Sequence, residues 1–326
     1  MSTFSRSAFI AGTAAVLAAA RPAGAQSAKT LRVGYQKDGV SLIVKQQGLL
    51  ERRLSPLGVA VSWSEFNGPT IVEALNGNGI DIAQTGDSPP IFAQVAGASF
   101  VYLAAAPDAG RRIGIVVRAD GGIHSVADLR GKRVAFTRGA GSQNLVVKAL
   151  EAAKVPYDTI QAINLQPPDA AAAFHSGSVD ALAIWDPFFA LAERFPNTRT
   201  LITAEHVAPS NRFFLTARTY AEQNPRTVSA FVDVLASASR WAAAHSGEIA
   251  QTMATVTGVD IAVERTVAAR DIYEIRYMDD AVIRRQQDIA DGFVRAGLIP
   301  HAVDVRADAY VPNAAARASL ARALRG

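Results

Sequence analysis

The loop at residues 137–144 has the composition of an anion-binding site. It lies between a predicted strand and a predicted helix, and its sequence is Thr-Arg-Gly-Ala-Gly-Ser-Gln-Asn. Glycine lets the backbone approach a ligand closely, and Ser142 is a favourable residue to cap the helix. The first N–H groups of a helix have no intrahelical partner and can bind an anion. We therefore expect a ligand at Gly141, Ser142, Gln143 and Asn144; the alternative is an ordinary capped turn.

Two more polar turns follow predicted strands, where open α/β sheets bind ligands. Gly86, Asp87 and Ser88 form one of them, and Trp185 with Asp186 forms the other. Capping explains the first turn equally well. A tryptophan at a strand end favours a position facing a cleft, because its N–H needs a partner.

A catalytic reading of Asp87 and Asp186 lacks support, because no activated nucleophile accompanies the two carboxylates. The chain has no cysteine, and its five histidines are scattered without metal-ligand spacing. We therefore predict no catalytic residue, no metal and no cofactor.

For several polar and cationic residues, the sequence leaves open whether they contact a ligand or pair with other protein groups. Asn211 and Arg212 lie near a predicted crossing between two lobes, where Arg212 could neutralise an anion or form an ion pair. We include Asn211 among the predicted ligand contacts. Arg270 and Arg276 have the same ambiguity as Arg212, and Arg111–Arg112 is expected to be solvated charge at a hinge.

Strands and helices alternate along the chain, which favours an α/β fold with mostly parallel strands and helices on both faces of each sheet. In the first hundred residues we predict helices at 40–53, 69–76 and 89–96 between strands at 31–35, 59–65 and 80–84. The chain then repeats this order, and it is helical from Tyr220 to the end.

The sequence itself repeats. Residues 32–41 align with 133–142 at an offset of 101, and residues 75–82 align with 174–181 at an offset of 99. Two similar units predict two similar lobes with a cleft between them, where a ligand would bind. We assign residues 26–109 plus 218–326 to lobe 1 and 110–217 to lobe 2. The chain then crosses twice between the lobes, which permits hinge closure.

Residues 1–25 are typical of a cleaved signal peptide. Arg6 precedes an apolar run at 8–20, which is too short to span a bilayer, and Ala23-Gly24-Ala25 offers a cleavage site. The net charge of +4 falls to +2 when Arg6 and Arg21 leave with the leader. That small excess predicts no nucleic-acid partner, and we expect an exported, periplasmic monomer.

Several segments together resemble the aliphatic sulfonate-binding proteins of ABC importers. The resemblance covers nearly all of the mature chain and depends on residues 31–37, 73–76, 85–94, 128–136, 141–145 and 183–187. It implies a two-lobed type II periplasmic binding fold, in which each lobe is a mixed sheet flanked by helices. It also implies capture of an alkanesulfonate for sulfur acquisition and delivery to an ABC permease and its ATPase.

The resemblance also places residues in the site. It puts Gln36 beside the pocket of the first lobe, Gly86–Ser88 below it and Ser142–Asn144 opposite. Trp185 and Asp186 would wall the apolar end. Alanine stands at position 140, where the family often has serine.

Related functions stay open at this stage. Taurine, nitrate or another small anion are alternative ligands, and the protein could serve a chemosensor instead of a transporter. Enzymes such as desulfinases resemble the same architecture but need a cysteine, and this chain has none.

Overall fold

The structure is a computed structural model that describes residues 29–66 and 68–325. The predicted signal peptide, 1–25, lies outside the described residues. In the described part of the chain, no helix combines the length and apolarity needed to cross a bilayer.

Ten strands in the described residues form two five-stranded mixed sheets with the same plan. The first sheet has the order β2 (Val59–Glu65), β1 (Lys29–Tyr35), β3 (Ile82–Thr85), β10 (Ser210–Ala217) and β4 (Phe100–Asp108). The second has the order β7 (Gln161–Asn164), β6 (Arg133–Phe136), β8 (Ala181–Trp185), β5 (Ile113–Arg118) and β9 (Thr198–Thr203). In each sheet the first three strands are parallel, and the fourth is antiparallel to both of its neighbours. The predicted mixed sheets are confirmed.

Helices flank both sheets. They are α1 (Gly39–Gln46), α2 (Leu49–Leu54), α3 (Thr70–Asn76), α4 (Ser88–Val95), α5 (Gly141–Ala152), α6 (Pro167–His175), α7 (Phe188–Ala192), α8 (Arg218–Gln223), α9 (Pro225–Ala244), α10 (Ser246–Thr257), α11 (Ile261–Arg270), α12 (Asp280–Arg295) and α13 (Ala314–Ala323). The single helix predicted at 40–53 is wrong: α1 and α2 are separate. Gly48 between them has a left-handed backbone (φ 58°), which interrupts a right-handed helix.

The sequence repeat corresponds to a repeated ion pair. Arg32 on β1 pairs with Asp81 at 2.6 Å, and Arg133 on β6 pairs with Asp180 at 2.8 Å. In both pairs the second carboxylate oxygen accepts the backbone N–H of the arginine, at 2.8 Å. Each pair joins the middle one of the three parallel strands to the turn before the neighbouring parallel strand. The two units of about a hundred residues thus use one local design twice.

Strand pairing corrects one predicted lobe boundary. The sequence placed residues up to Ala217 in lobe 2, but β10 (Ser210–Ala217) pairs with β3 and β4 of the first sheet. The second crossing therefore lies between β9 and β10, at residues 204–209. The first crossing lies between β4 and β5, near the predicted boundary at 109/110. We accordingly propose a lobe 1 that contains the first sheet and the chain from Ser210 on, and a lobe 2 that contains the second sheet.

The large apolar clusters inside the two lobes are separate from each other, but a smaller cluster joins the lobes. This cluster contains buried residues of α4, α5 and α12, including Ile91, Val147 and Phe293. The rings of Phe92 and Phe293 lie 5.1 Å apart within it. Because α5 belongs to lobe 2 and α4 to lobe 1, this cluster fixes one side of the contact between the lobes.

Candidate ligand-binding site

A small chamber, here called the inner cleft, lies between the two sheets. Lobe 1 contributes strand-end residues that include Gln36, Gln84, Thr85, Gly86 and Asp87, and lobe 2 contributes Arg112, Ile113, Ala140, Gly141 and Trp185. Strand β10 adds Ser210, Asn211 and Arg212. The chamber has a cavity volume of about 80 Å³. That room suits a compact polar group.

Six of the predicted contact residues line the inner cleft. They are Gln36, Gly86, Asp87, Gly141, Trp185 and Asn211. These residues come from turns after β1, β3 and β6, from the end of β8 and from β10. Parallel strands of one sheet end at the same edge, and the two sheets present those edges to each other.

Four predicted contacts are buried beside the cleft and bond to the protein instead. The Ser88 hydroxyl donates to Asp87 at 2.8 Å, and the Ser142 hydroxyl accepts the N–H of Thr137 at 3.3 Å. Gln143 accepts the N–H of Gly139 at 2.7 Å, and Asn144 donates to Asp87 at 2.9 Å. These side chains hold the ligand-facing turns in shape, and the bond between Asn144 and Asp87 ties lobe 2 to lobe 1.

Ser142 is not the N-cap that the sequence predicted. Helix α5 begins at Gly141, its N-cap is Ala140, and no side chain caps it. The Ser142 hydroxyl serves the preceding loop instead. The first N–H groups of α5 are therefore left without a side-chain partner at the wall of the inner cleft.

The helix starts of α4 and α5 meet at the cleft. Gly86 and Asp87 precede α4, and Gly141 opens α5. A methyl group built on Gly141 would lie 3.2 Å from the Asp87 carboxylate and 3.2 Å from Ile113. Two positive helix ends this close favour an anionic group between them.

The charge of Asp87 would oppose an anion, but its surroundings weaken that effect. Asp87 is 2% exposed. Burial raises the pKa of Asp87, although the hydrogen bonds from Ser88 and Asn144 act in the other direction. Burial thus favours the neutral carboxyl.

The structure corrects the prediction for Arg111–Arg112. Arg111 is solvated as expected, with 51% of its side chain exposed, but the Arg112 side chain is only 5% exposed. Arg112 lies 3.3 Å from Asp38 and 3.8 Å from Asp271. Burial opposes its charge, but Asp271, Asp38 and nearby carboxylates raise the pKa of the guanidinium above its usual range. The sequence could not distinguish these adjacent arginines.

Arg212 joins the same network. Its guanidinium pairs with Asp271 at 2.5 Å, so Asp271 lies between two arginines. Burial would raise the pKa of Asp271, but Arg112 and Arg212 hold it below the usual range. Both arginines line the inner cleft, and their charge is fixed there by carboxylates behind them.

Several polar atoms around the inner cleft have no hydrogen-bond partner among the described residues. Both amide atoms of Asn211 are in this state, and the residue is 1% exposed. The Thr85 hydroxyl and the Nε atoms of Arg112 and Arg212 are also without partners. Buried polar groups normally have partners, and leaving one unpaired costs about 1–3 kcal/mol. A concentration of unpaired donors around one chamber indicates a site for a polar ligand.

A larger chamber, here called the outer cleft, continues from the inner one. The two chambers share Gln36, Asp38, Gly68 and Trp185. Rings and prolines line one part of the outer cleft, and polar or charged residues that include Lys37, Glu65, Gln166 and Asp186 line the rest; the apolar residues besides Trp185 are Phe66, Pro167, Pro168, Pro187 and Phe188. The outer cleft has a cavity volume of about 540 Å³.

Asp186, also predicted as a ligand contact, lies away from the inner cleft. No part of its side chain is exposed, and one carboxylate oxygen accepts from Arg270 at 3.2 Å and from the N–H of Ala190 at 3.0 Å. Burial raises the pKa of Asp186 to about 6, against the attraction of Arg112 and Arg270. Asp186 therefore caps α7 within lobe 2 and joins lobe 1 through Arg270, at the edge of the outer cleft described above.

Among residues 29–66 and 68–325, histidine, aspartate and glutamate side chains do not come together in groups of three or more as a metal site would require.

Comparison with known proteins identifies the family. A family model described as NMT1/THI5 like matches residues 58–249. The aliphatic sulfonates-binding protein of Escherichia coli (strain K12) is 36% identical over 294 residues, which are 89% of this chain and 92% of that protein. This chain belongs to the NMT1/THI5-like family. The resemblance to aliphatic sulfonate-binding proteins that the motifs indicated is confirmed.

Solved structures agree with this assignment. The alkanesulfonate-binding protein SsuA from Xanthomonas axonopodis pv. citri, bound to MOPS, has a TM-score of 0.81 and 34% identity. The match covers 86% of this chain and 98% of that one. A desulfurization enzyme, DSZB, has a TM-score of 0.67 at 17% identity, a likeness that shows the fold alone. The relatives with the higher identity are binding proteins.

Proposed function

We propose that this protein is the periplasmic sulfonate-binding component of an ABC importer and that it acts without catalysis. The observation that carries the proposal is the set of unpaired donors around the inner cleft, above all Asn211, beside two helix starts. The relatives named for aliphatic sulfonates support the same ligand. The exported protein would lose its leader near Ala25, bind as a monomer and deliver its ligand to the permease and its ATPase.

The chemistry of a sulfonate suits this chamber. A sulfonate is a permanent anion with three acceptor oxygens, and it can accept from Asn211, Thr85 and the first N–H groups of α5. Helix α4 contributes only its dipole, because Pro89 and Pro90 in its first turn have no N–H. Helix ends stabilise an anion by about 0.3–1 kcal/mol each, and more when they are partly buried. The charge of Arg112 and Arg212 adds to this attraction. No single strong ion pair is needed, so the ligand can leave again at the permease.

The structure favours an alkanesulfonate over taurine. Taurine carries an ammonium group, which needs an accessible carboxylate. Asp87 and Asp186 were candidates, but they are 2% and 1% exposed and already hold Asn144 and Arg270. Asp38 is occupied by Gln84 and Arg112, and Glu65 of the outer cleft is paired with Lys37 at 3.1 Å. An uncharged tail would instead pass Trp185 into the outer cleft.

The proposal predicts that purified protein gains stability from alkanesulfonates. We expect the melting temperature to rise by several degrees with butanesulfonate at 100 times its Kd, which corresponds to about 2.7 kcal/mol. Taurine, nitrate and sulfate should give smaller shifts. A rise with taurine or nitrate alone would contradict the proposed ligand.

Gly86→Ala tests where the sulfonate binds. A methyl group on Gly86 would meet no atom within 4 Å, and the glycine does not have a positive φ. The free variant should therefore melt like wild type, whereas the methyl group in the inner cleft should weaken butanesulfonate binding at least about tenfold, or 1.4 kcal/mol. Gly247→Ala on α10, also without a neighbour within 4 Å, is the control and should bind normally. Equal affinity of both variants, measured by calorimetry, would move the ligand elsewhere.

Trp185 should act on the tail of the ligand. It is half-buried, lines both chambers and belongs to none of the apolar clusters of the described residues. We expect Trp185→Ala to weaken octanesulfonate binding several-fold more than methanesulfonate binding, because the longer tail loses more apolar contact. Titration of both ligands checks this. Equal losses would assign the tryptophan to the headgroup or to the folded core.

A further inference from the structure

One arginine joins the two lobes at the side of the cleft away from the cluster of α4, α5 and α12. Arg270 ends α11 in the proposed lobe 1, and its guanidinium contacts lobe 2. It lies 3.2 Å from Asp186, pairs with Glu193, and stacks 4.7 Å from the ring centre of Phe189. Its side chain is only 18% exposed. Three contacts to one lobe, made by one side chain of the other, form a specific bridge.

The apolar contact beneath this bridge is small. Ala190 of α7 packs with Val263 and Val267 of α11, flanked by Leu191 and Val259. The opposite side of the contact between the lobes has aromatic rings and buried helices. Since the larger cluster stabilises more, the lobes should separate first where α7 meets α11.

Two residues of the bridge, Asp186 and Arg270, are each adjacent in the chain to a residue at the cleft. Asp186 directly follows Trp185, which lines the inner and outer clefts. Arg270 directly precedes Asp271, which holds Arg112 and Arg212 at the inner cleft. Moving α7 away from α11 therefore moves Trp185 and Arg112, which belong to lobe 2, relative to Arg212 and Asp271 of lobe 1.

We propose that Arg270 is a positioning residue that holds the lobes closed over the bound ligand and sets the rate of its release. The identity of that ligand rests on the proposed function; the closing role does not. Arg270 lines neither cleft, so it acts through the position of Trp185 and α7 and not by touching the ligand.

Release kinetics test the proposal directly. We expect Arg270→Met to raise the dissociation rate of butanesulfonate at least tenfold in stopped-flow fluorescence, with an association rate within twofold of wild type. Arg194→Met is the matched control, because Arg194, just after α7, also pairs across the lobes with Asp260, the N-cap of α11, but its side chain is 56% exposed. Such exposed pairs contribute little, so this control should release ligand like wild type. Equal dissociation rates in wild type and Arg270→Met would overturn the proposal.

The distance between the two lobes, measured without ligand, tests the closing role of Arg270 independently of which ligand the protein binds. The chain contains no cysteine, so Ser64→Cys and Asp169→Cys give two exposed spin-label sites, one on each lobe. Without ligand, the Arg270→Met protein should show a longer and broader distance distribution than wild type. Unchanged distances would contradict the closing role even if sulfonate binds. Failure of every sulfonate to bind would contradict the proposed function and leave this test valid.

Glu193→Gln provides a second variant from the other lobe. It removes one of the two carboxylate charges that face Arg270 and leaves Arg270 and the buried Asp186 in place. We expect a smaller change in the same direction, about two- to fivefold in the dissociation rate. If Arg270→Met fails to fold, an unchanged rate in Glu193→Gln would overturn the proposal.

Discussion

Arg112→Met should lower the free energy of unfolding by about 3–5 kcal/mol and abolish sulfonate binding. Arg112 is buried, and it is the shared partner of Asp38 and Asp271. Its removal would leave buried carboxylates with too little positive charge, which costs about 3–5 kcal/mol in comparable cases. Binding would fail as well, because the uncompensated negative charge would face the ligand. Urea unfolding and calorimetry measure the two effects.

The neighbouring arginine supplies the control for this prediction. Arg111 has 51% of its side chain exposed and lies 3.7 Å from Glu205, so Arg111→Met should cost no more than about 1 kcal/mol. Adding Asp38→Asn to Arg112→Met should recover part of the lost stability, since one of the unpaired charges is removed. Equal losses from the two single arginine variants would show that Arg112 is not a buried charge centre.

Asn211→Ala should separate affinity from stability. Its amide lines the inner cleft without a partner, so the free protein already bears the cost of a buried unpaired group. Removing that amide should leave the free energy of unfolding unchanged or raise it by up to about 1 kcal/mol. The affinity for butanesulfonate should fall at least about tenfold, or 1.4 kcal/mol.

Thr216 on the same strand gives the opposite expectation. Its hydroxyl is fully buried and donates to the Asp81 carbonyl at 2.8 Å. Thr216→Val should therefore lose about 1 kcal/mol of stability and keep its affinity. The idea that Asn211 binds the ligand would fail if Asn211→Ala behaved like Thr216→Val, with stability lost and binding intact.

Local features of this protein were predictable because they depend on neighbours in the chain. The repeat at an offset near 100 predicted two similar units, and the ion pairs of Arg32 and Arg133 have the same geometry in each. The turns at Gly86 and Gly141 precede helices because their residues favour helix starts. Six of the eleven predicted contact residues line the inner cleft, and five of them lie at or just after the ends of strands that share an edge; Asn211, the sixth, lies near the start of β10.

Burial of individual side chains was not predictable in the same way. Adjacent arginines at 111 and 112 have the same chemistry, yet one is solvated and the other lies at the centre of an ion network. The difference arises because the chain crosses between lobes at this point and turns one side chain toward Asp271, 159 positions away. The predicted boundary placed strand β10 in lobe 2, but the strand pairs with β3 and β4 of the first sheet. This pairing forms only because the chain has already crossed back to the first sheet before β10, which the local sequence pattern does not reveal.

The amino-acid sequence by itself determined the two α/β units, the family resemblance and the turns that line the cleft, since these depend on local pattern. Tertiary structure decided which polar groups stay unpaired and which bond across the lobes. Asn144 holds Asp87, and Arg270 holds Asp186, over separations of 57 and 84 residues. The energy of a polar group depends on whether a distant partner meets it away from water, and only the packed lobes bring those partners together.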